Sequence, residues 1–356
     1  MRTLIRPTGF VDSPFGHDGK VAQLAGGLCW FSAAELLSVE GNKRVVSELV
    51  PVEGLEQHLD ATTKAQWQAL TGKRPPLQLG ERTVRLDQPQ VMGVLNVTPD
   101  SFSDGGRYAD AAAAADAGAD MAAEGAAIID VGGESTRPGA SPVWEGDETE
   151  RVVPVIRQLA GGGAAVSVDT RKSEVMTAAL GAGARIINDV SALTFDPRSA
   201  EVVAAAGVPV VLMHHQGSPE TMQDSPRYDD VLVEVYLWLE ERIAAAESAG
   251  IPRSNVLVDP GFGFGKTVAH NLELMNGLAI LHSLGCPIVL GASRKRTIGA
   301  LSGEAPADKR LGGSIAFALK AVEQGVQIVR AHDVAETVQA LKVWRGLRDQ
   351  ALTPRV

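Results

Sequence analysis

Eight short aliphatic runs recur from residue 91 onward, each ending in polar or glycine residues and each followed by an alanine- and leucine-rich stretch. They are VMGVLNV (91–97), AIIDVGG (127–133), AVSVDT (165–170), RIINDV (185–190), PVVLMHH (209–215), VLVDPG (256–261), PIVLGAS (287–293) and QIVRAHD (327–333). Continuous apolar runs without alternation describe strands buried on both faces, as in a parallel sheet. The segments between them, such as 110–124, 228–249 and 334–348, read as helices, with proline and glycine at most boundaries. Eight such units over about 260 residues match the size and strand count of a (βα)8 barrel. An open doubly wound sheet is the alternative, but its first strand leads into a G-x-G-x-x-G turn, whereas here the first run leads into NVTPDSFSDGG. The fold class predicted is α/β, a (βα)8 TIM barrel with an N-terminal extension or small accessory subdomain.

Residues 1–87 break the rhythm. Helices are predicted around 30–38 and 54–70, the second with Leu55, Leu59 and Leu70 on one face, followed at 73–89 by a loop and a strand leading into the barrel. This segment carries no motif with a nameable chemistry. It reads as an accessory subdomain or a cap on the barrel bottom, which divides the chain into 1–87 and a catalytic domain at 88–356. The charge divides at the same place: residues 1–87 hold ten basic and ten acidic side chains, so the net −10 lies wholly in 88–356. An acidic chain lacks the basic face that draws nucleic acid or an anionic membrane, so neither is expected as a partner. The two cysteines, Cys29 and Cys286, exclude a disulfide framework, and no Cys/His cluster has zinc spacing. No apolar run approaches the roughly 18 residues of a membrane span, and MRTLIRPTGF lacks the apolar core of a leader. A cytoplasmic protein is expected.

A (βα)8 barrel places its chemistry at the C-terminal ends of its strands, and polar residues collect there. They are Asn96 after strand 1, Glu134, Ser135, Thr136 and Arg137 after strand 2, Asp169 after strand 3, and Asn188 and Asp189 after strand 4. His214 and His215 follow strand 5, Asp259 and Lys266 strand 6, Ser293 to Arg296 strand 7, and Arg330 and His332 strand 8. Any one of them has a plainer explanation as a turn former or helix cap; the coincidence at all eight ends does not. Asp169, Asn188, Asp259 and Lys295 offer acceptors and donors suited to the edge of a flat, amide-rich heterocycle, with Arg330 or Lys295 to stack on its face. Arg137, Arg330 and His332, with backbone N–H groups of the glycine-rich turns, suit a phosphate. Asn96 and Asp104 supply hard oxygens for a Mg²⁺ that neutralises a diphosphate. The sequence GFGFGKT (261–267) imitates a nucleotide-binding loop, but Pro260 stands where G-x-x-x-x-G-K-[ST] requires glycine. His214-His215 is no metal pair, because neighbouring strand residues point to opposite faces, one inward and one towards the helices.

GVLNVTPDSFSDGG (93–106), GGESTRPGA (132–140), VSVDTRK (166–172), IINDVSA (186–192), DPGFGFGK (259–266), GASRK (291–295) and RAHDV (330–334) closely resemble the dihydropteroate synthase family. The resemblance implies a Mg²⁺-dependent transferase of folate synthesis, a target of sulfonamides, acting as a homodimer built from barrel helices. It implies that 6-hydroxymethyl-7,8-dihydropterin diphosphate and p-aminobenzoate are joined, by an SN1-like displacement of diphosphate, to 7,8-dihydropteroate. Carried over position by position, Asp169, Asn188, Asp259 and Lys295 are pterin contacts, Arg330 stacks on the ring and Phe264 lines the pocket. Asn96 is the metal ligand, and Thr136, Arg137, Arg330 and His332 hold the diphosphate. Phe102, Arg137 and Pro138 close over p-aminobenzoate, with Lys295 and Arg296 beside its carboxylate and Asp104 ordering the loops.

The sequence departs from the family's usual pattern in three places. His215 stands where Met is common, Arg296 where Ser is frequent, and residues 1–85 have no counterpart in compact members. Two other readings use the same barrel. A non-catalytic pterin-binding paralogue would have lost diphosphate or metal residues, yet Asn96, Arg137, Arg330 and His332 are present. A methyltetrahydrofolate-using methyltransferase barrel would keep the pterin acids but has no use for the loops after strands 1 and 2.

Overall fold

The computed structural model describes residues 1–98, 106–135, 142–217 and 225–354. Four strands, β1 (Arg2–Val11), β2 (Ala22–Gln23), β3 (Trp30–Glu40) and β4 (Lys43–Pro51), form an N-terminal antiparallel sheet in which β3 pairs with each of the other three. Segment 30–38 is therefore strand, not the expected helix. Its AAELL core favours a helix locally, but that preference amounts to at most about 0.7 kcal/mol per residue, and pairing along both edges outweighs it. Leu36 and Leu37 join different apolar clusters and both are buried, so the alternation of a half-buried strand is missing.

The expected helix at 54–70 is two pieces, a 3-10 segment Val52–His58 and helix α1 (Ala61–Thr71). Between them Asp60 caps α1 by accepting the Thr63 N–H at 2.8 Å. Leu55, Leu59 and Leu70 do meet in one apolar cluster, against Ala318, Val322, Leu341 and Trp344 of the barrel's outer helices. Instead of a loop and single strand, 73–89 holds a hairpin, β5 (Leu77–Leu79) with β6 (Arg82–Val84). Leu77, Leu79, Val84 and Leu86 close the barrel floor, packing with Met92, Ile128, Ile186 and Leu257.

The barrel strands are β7 (Gln90–Asn96), β8 (Ile128–Gly132), β9 (Val166–Asp169), β10 (Ile186–Asp189), β11 (Val210–Met213), β12 (Val256–Asp259), β13 (Val289–Leu290) and β14 (Ile328–Ala331). They are all parallel, in the order β12-β11-β10-β9-β8-β7-β14-β13, and a parallel bridge between Val258 and Ile288 closes the ring. Around them lie α2 (Gly106–Glu124), α3 (Glu145–Gly161), α4 (Ser173–Ala182), α5 (Ser199–Ala206), α6 (Val231–Ser248), α7 (Val268–Gly277), α8 (Arg296–Leu301), α9 (Leu311–Glu323) and α10 (Val334–Ala351). The fold is an α/β TIM barrel. Met92, Ile128, Ala165, Ile186, Val211, Leu257, Val289 and Ile328 fill its floor, while the residues next to them, such as Ile129, Val166 and Ile187, pack outward among the helices. That parity fixes what faces the interior at the strand ends: two residues above the floor come Asp130, Ser167, Asn188, Asp259 and Arg330. Among the described residues no helix is long and apolar enough to cross a membrane.

Deleting residues 1–85 strips the floor of three of its four hairpin side chains and uncovers the apolar faces of α9 and α10. The melting temperature is expected to fall by on the order of 10 °C, with aggregation on heating. Differential scanning fluorimetry would show this, and an unchanged midpoint would mean that the segment does not stabilise the barrel.

Candidate active site

Asp130, Asp169, Asn188 and Arg330 converge at the C-terminal end of the barrel interior. Arg330, from β14, donates through Nε to Asp130 Oδ2 at 2.6 Å and through Nη2 to Asp169 Oδ2 at 2.8 Å. Asp130 Oδ2 also accepts from Nδ2 of Asn188 at 2.9 Å. One guanidinium therefore serves two carboxylates. Burial works against its charge, yet the two aspartates together raise its pKa above the ordinary arginine value. With only a share of that cation, Asp169 does not escape its burial, which pushes its carboxyl up to about 7. Oδ1 of Asp169 and Oδ1 of Asp130 are buried and accept no hydrogen bond from the described residues. Buried acceptors left open are uncommon in a folded protein, and at a strand end they invite a ligand's N–H groups.

The far wall comes from the loops after β12 and β13. Asp259 Oδ1 accepts the Gly261 N–H at 2.7 Å, and burial raises its pKa. Lys295 donates from Nζ to the Phe262 carbonyl at 2.5 Å and lies 4.0 Å from the Phe264 ring centroid. Burial, opposed by Asp259, pushes its pKa down to about 7. Two glycines of GFGFG are required by space. A Cβ on Gly261, at φ +68°, would lie 1.7 Å from the His214 carbonyl oxygen, and one on Gly265, at φ +61°, would lie 2.6 Å from that of Gln216. Lys266, although it follows a strand end, is not displayed at the rim. Buried to 3% exposure, its Nζ binds the carbonyls of Gly261 and Phe264, both at 3.0 Å, and His214 Nδ1 at 2.9 Å, latching the loop.

Strand β11 stops at Met213, so strand alternation does not govern both histidines. Both rings meet Trp238 edge-on, His214 at 5.0 Å and His215 at 5.7 Å. At the rim after β14, His332 Nδ1 lies 3.1 Å from Ser293 Oγ, while Arg294 pairs with Asp333. Arg296 is exposed at the start of α8. Asn96 ends β7, and its Oδ1 and Asp169 Oδ2 lie 3.9 and 3.8 Å from the point where a Cβ on Gly132 would stand, so this glycine keeps the space between them clear. Thr136, Arg137, Pro138, Phe102 and Asp104 lie outside the described residues.

Two groups escaped the reading of strand ends. Asp130 sits inside an apolar run, and its inward parity was the signal that marks it. The second is the set of partners of Glu134, itself read as a strand-2 end residue, in a buried ionic cluster behind β8: Lys172 Nζ donates to Glu134 Oε2 at 2.7 Å and to Glu148, and Arg171 donates to Glu134 Oε1 at 3.0 Å.

A family model described as pterin binding enzyme matches residues 92–332. The chain is 49% identical to dihydropteroate synthase of Escherichia coli (strain K12) over 259 residues, covering 72% of this chain and 91% of that protein. It is 48% identical to the Neisseria meningitidis serogroup B enzyme of that name, covering 76% and 96%. The chain belongs to the dihydropteroate synthase family. Among solved structures of the family, Xanthomonas albilineans dihydropteroate synthase with 4-aminobenzoic acid superposes with a TM-score of 0.74 at 50% identity, over 79% of this chain and all of that one. The same enzyme with 7,8-dihydropteroate gives 0.70 at 46% identity, over 78% of this chain and 100% of that one. Residues 1–91 precede the segment that the pterin-binding family model matches.

Proposed function

We propose that this chain is a dihydropteroate synthase, joining 6-hydroxymethyl-7,8-dihydropterin diphosphate to p-aminobenzoate with release of diphosphate. The observation that carries the reading is Arg330, held by Asp130 and Asp169 between an acceptor-lined interior edge and the strand-8 rim. Asp169, Asn188 and Asp259 hold the pterin edge, Lys295 and Phe264 line its side, and Arg330 stacks on its face. Arg330 and His332, with Thr136 and Arg137, hold the diphosphate, while Phe102, Arg137, Pro138, Lys295 and Arg296 receive p-aminobenzoate.

The methylene C–O bond breaks first and diphosphate leaves with the electron pair. The positive charge spreads into the ring, beside the carboxylates of Asp169 and Asp259. The arylamine nitrogen then forms the C–N bond and gives up a proton, in a site that keeps competing water out. No side-chain nucleophile is needed. Asn96 fits a magnesium ion in one respect: its single amide oxygen suits a metal that keeps most of its waters and binds through one or two protein oxygens plus substrate phosphates. When bound there, Mg²⁺ would offset charge on the leaving diphosphate. A homodimer paired through the barrel helices is the assembly proposed, supported by Val343 and Leu347, 62% and 68% exposed on α10. A cytoplasmic setting accords with the two free, buried cysteines.

The test is incubation with the pterin diphosphate, Mg²⁺ and p-aminobenzoate while diphosphate release is followed. Release that depends on the arylamine is expected; its absence would overturn the proposal.

A further inference from the structure

Asn188 is ambiguous as a recognition group, since its amide can present either a carbonyl acceptor or an N–H donor to a ligand. The structure removes the ambiguity from below. Asp130 is fully buried, one inward step beneath the strand ends, and a carboxylate only accepts. Its Oδ2 takes Nδ2 of Asn188 at 2.9 Å and Nε of Arg330 at 2.6 Å. One of the two N–H groups on Nδ2 is held by Asp130, which fixes the orientation of the amide and turns Oδ1 away from Asp130 as an acceptor with no hydrogen bond from the described residues. Beside it stands the open Oδ1 of Asp169. The adjoining Oδ1 atoms of Asn188 and Asp169 are therefore two acceptors on this edge.

We infer that Asp130 is a specificity-determining residue, which fixes the amide of Asn188 as an acceptor and so selects a heterocycle presenting adjacent N–H donors, a 2-amino-pteridine rather than its 2-oxo counterpart. The inference rests on the pterin reading of the site. It assigns to Asp130 a role without ligand contact: a positioning residue acting through Asn188 and, by the same oxygen, through the plane of Arg330. An asparagine at position 130 can donate as well as accept, so Asn188 becomes free to turn its amide over and meet a 2-oxo group with an N–H.

The experiment measures binding of 6-hydroxymethylpterin and of 6-hydroxymethyl-lumazine, its 2-oxo analogue, to the full chain by titration calorimetry. The wild type is expected to prefer the pterin, and Asp130→Asn to reduce that preference about tenfold or more, beyond any loss common to both ligands. The exchanged pair Asp130→Asn with Asn188→Asp again places an acceptor towards the ligand and should restore the preference. It also serves where Asp130→Asn alone does not fold. A merely structural role predicts equal weakening of both ligands; an unchanged ratio in Asp130→Asn, or a folded exchanged pair without the preference, overturns the inference while leaving the pterin reading intact. A wild-type protein that binds neither pteridine overturns both.

Discussion

Arg330→Ala is expected to lower kcat/KM by about a thousandfold or more, the scale of losing one preorganised charge at a reacting centre. Its guanidinium is assigned three tasks at once. It neutralises Asp130 and Asp169, stacks on the pterin and meets the diphosphate, so alanine removes binding and leaving-group stabilisation together. The variant should also be less stable. Breaking a buried ion pair by removing one partner costs about 3–5 kcal/mol, and here two carboxylates lose the same cation.

The two losses are separable. Arg330→Lys keeps a positive charge near Asp130 and Asp169 but cannot bond both from one planar fork while presenting a face to the ring. Stability should largely return in Arg330→Lys, measured as the thermal midpoint, while turnover remains at least about a hundredfold down. If Arg330→Ala kept turnover within about tenfold of wild type, well short of the loss of an electrostatic group, the strand-8 end would have been assigned the wrong role.

The barrel was legible because its parallel strands are buried on both faces, which leaves unbroken aliphatic runs ending at the site. Asp169, Asn188, Asp259 and Arg330 were readable for the same reason: each ends such a run and the fold brings the ends together. Asp130 was harder to see, since inside AIIDVGG it reads as a defect in a strand until parity turns it inward beneath Asn188. Lys266 misled in the opposite way. Sequence position puts it among the strand-end candidates, but the chain reversal at Gly261 folds its ammonium under the loop, against three acceptors. The N-terminal sheet was illegible at β3, whose leucines on both faces are buried and whose residues favour a helix; only the distant pairings with β1 and β4 make it a strand.

The buried cluster behind β8 shows most clearly what spacing conceals, because Lys172 and Glu148 stand 24 residues apart and meet only through packing of α3 against α4. Lys172→Met is expected to destabilise the protein by about 3–5 kcal/mol. Arg171 would still serve Glu134, but Glu148, 0% exposed and with Oε1 already unpartnered, would keep a buried charge with no cation beside it among the described residues. The defect lies in the orphaned carboxylate rather than in the lost attraction, so removing that carboxylate as well should repair it. Lys172→Met combined with Glu148→Leu is expected to recover more than half of the loss, read from urea unfolding at neutral pH. The deficit should also shrink in acid. Burial disfavours the Glu134 carboxylate, yet Lys172 and Arg171 hold its pKa below the ordinary 4.5. The stabilisation linked to Glu134 is therefore complete above about pH 4.5 and is lost as pH falls through the depressed value. Wild type gives up this contribution in acid whereas the variant has less of it to lose, so the two unfolding curves should converge below that pH. A deficit under about 1 kcal/mol, the scale of a surface pair, would show that solvent reaches the cluster, and a deficit unmoved by Glu148→Leu would place its origin in packing of the lysine stem.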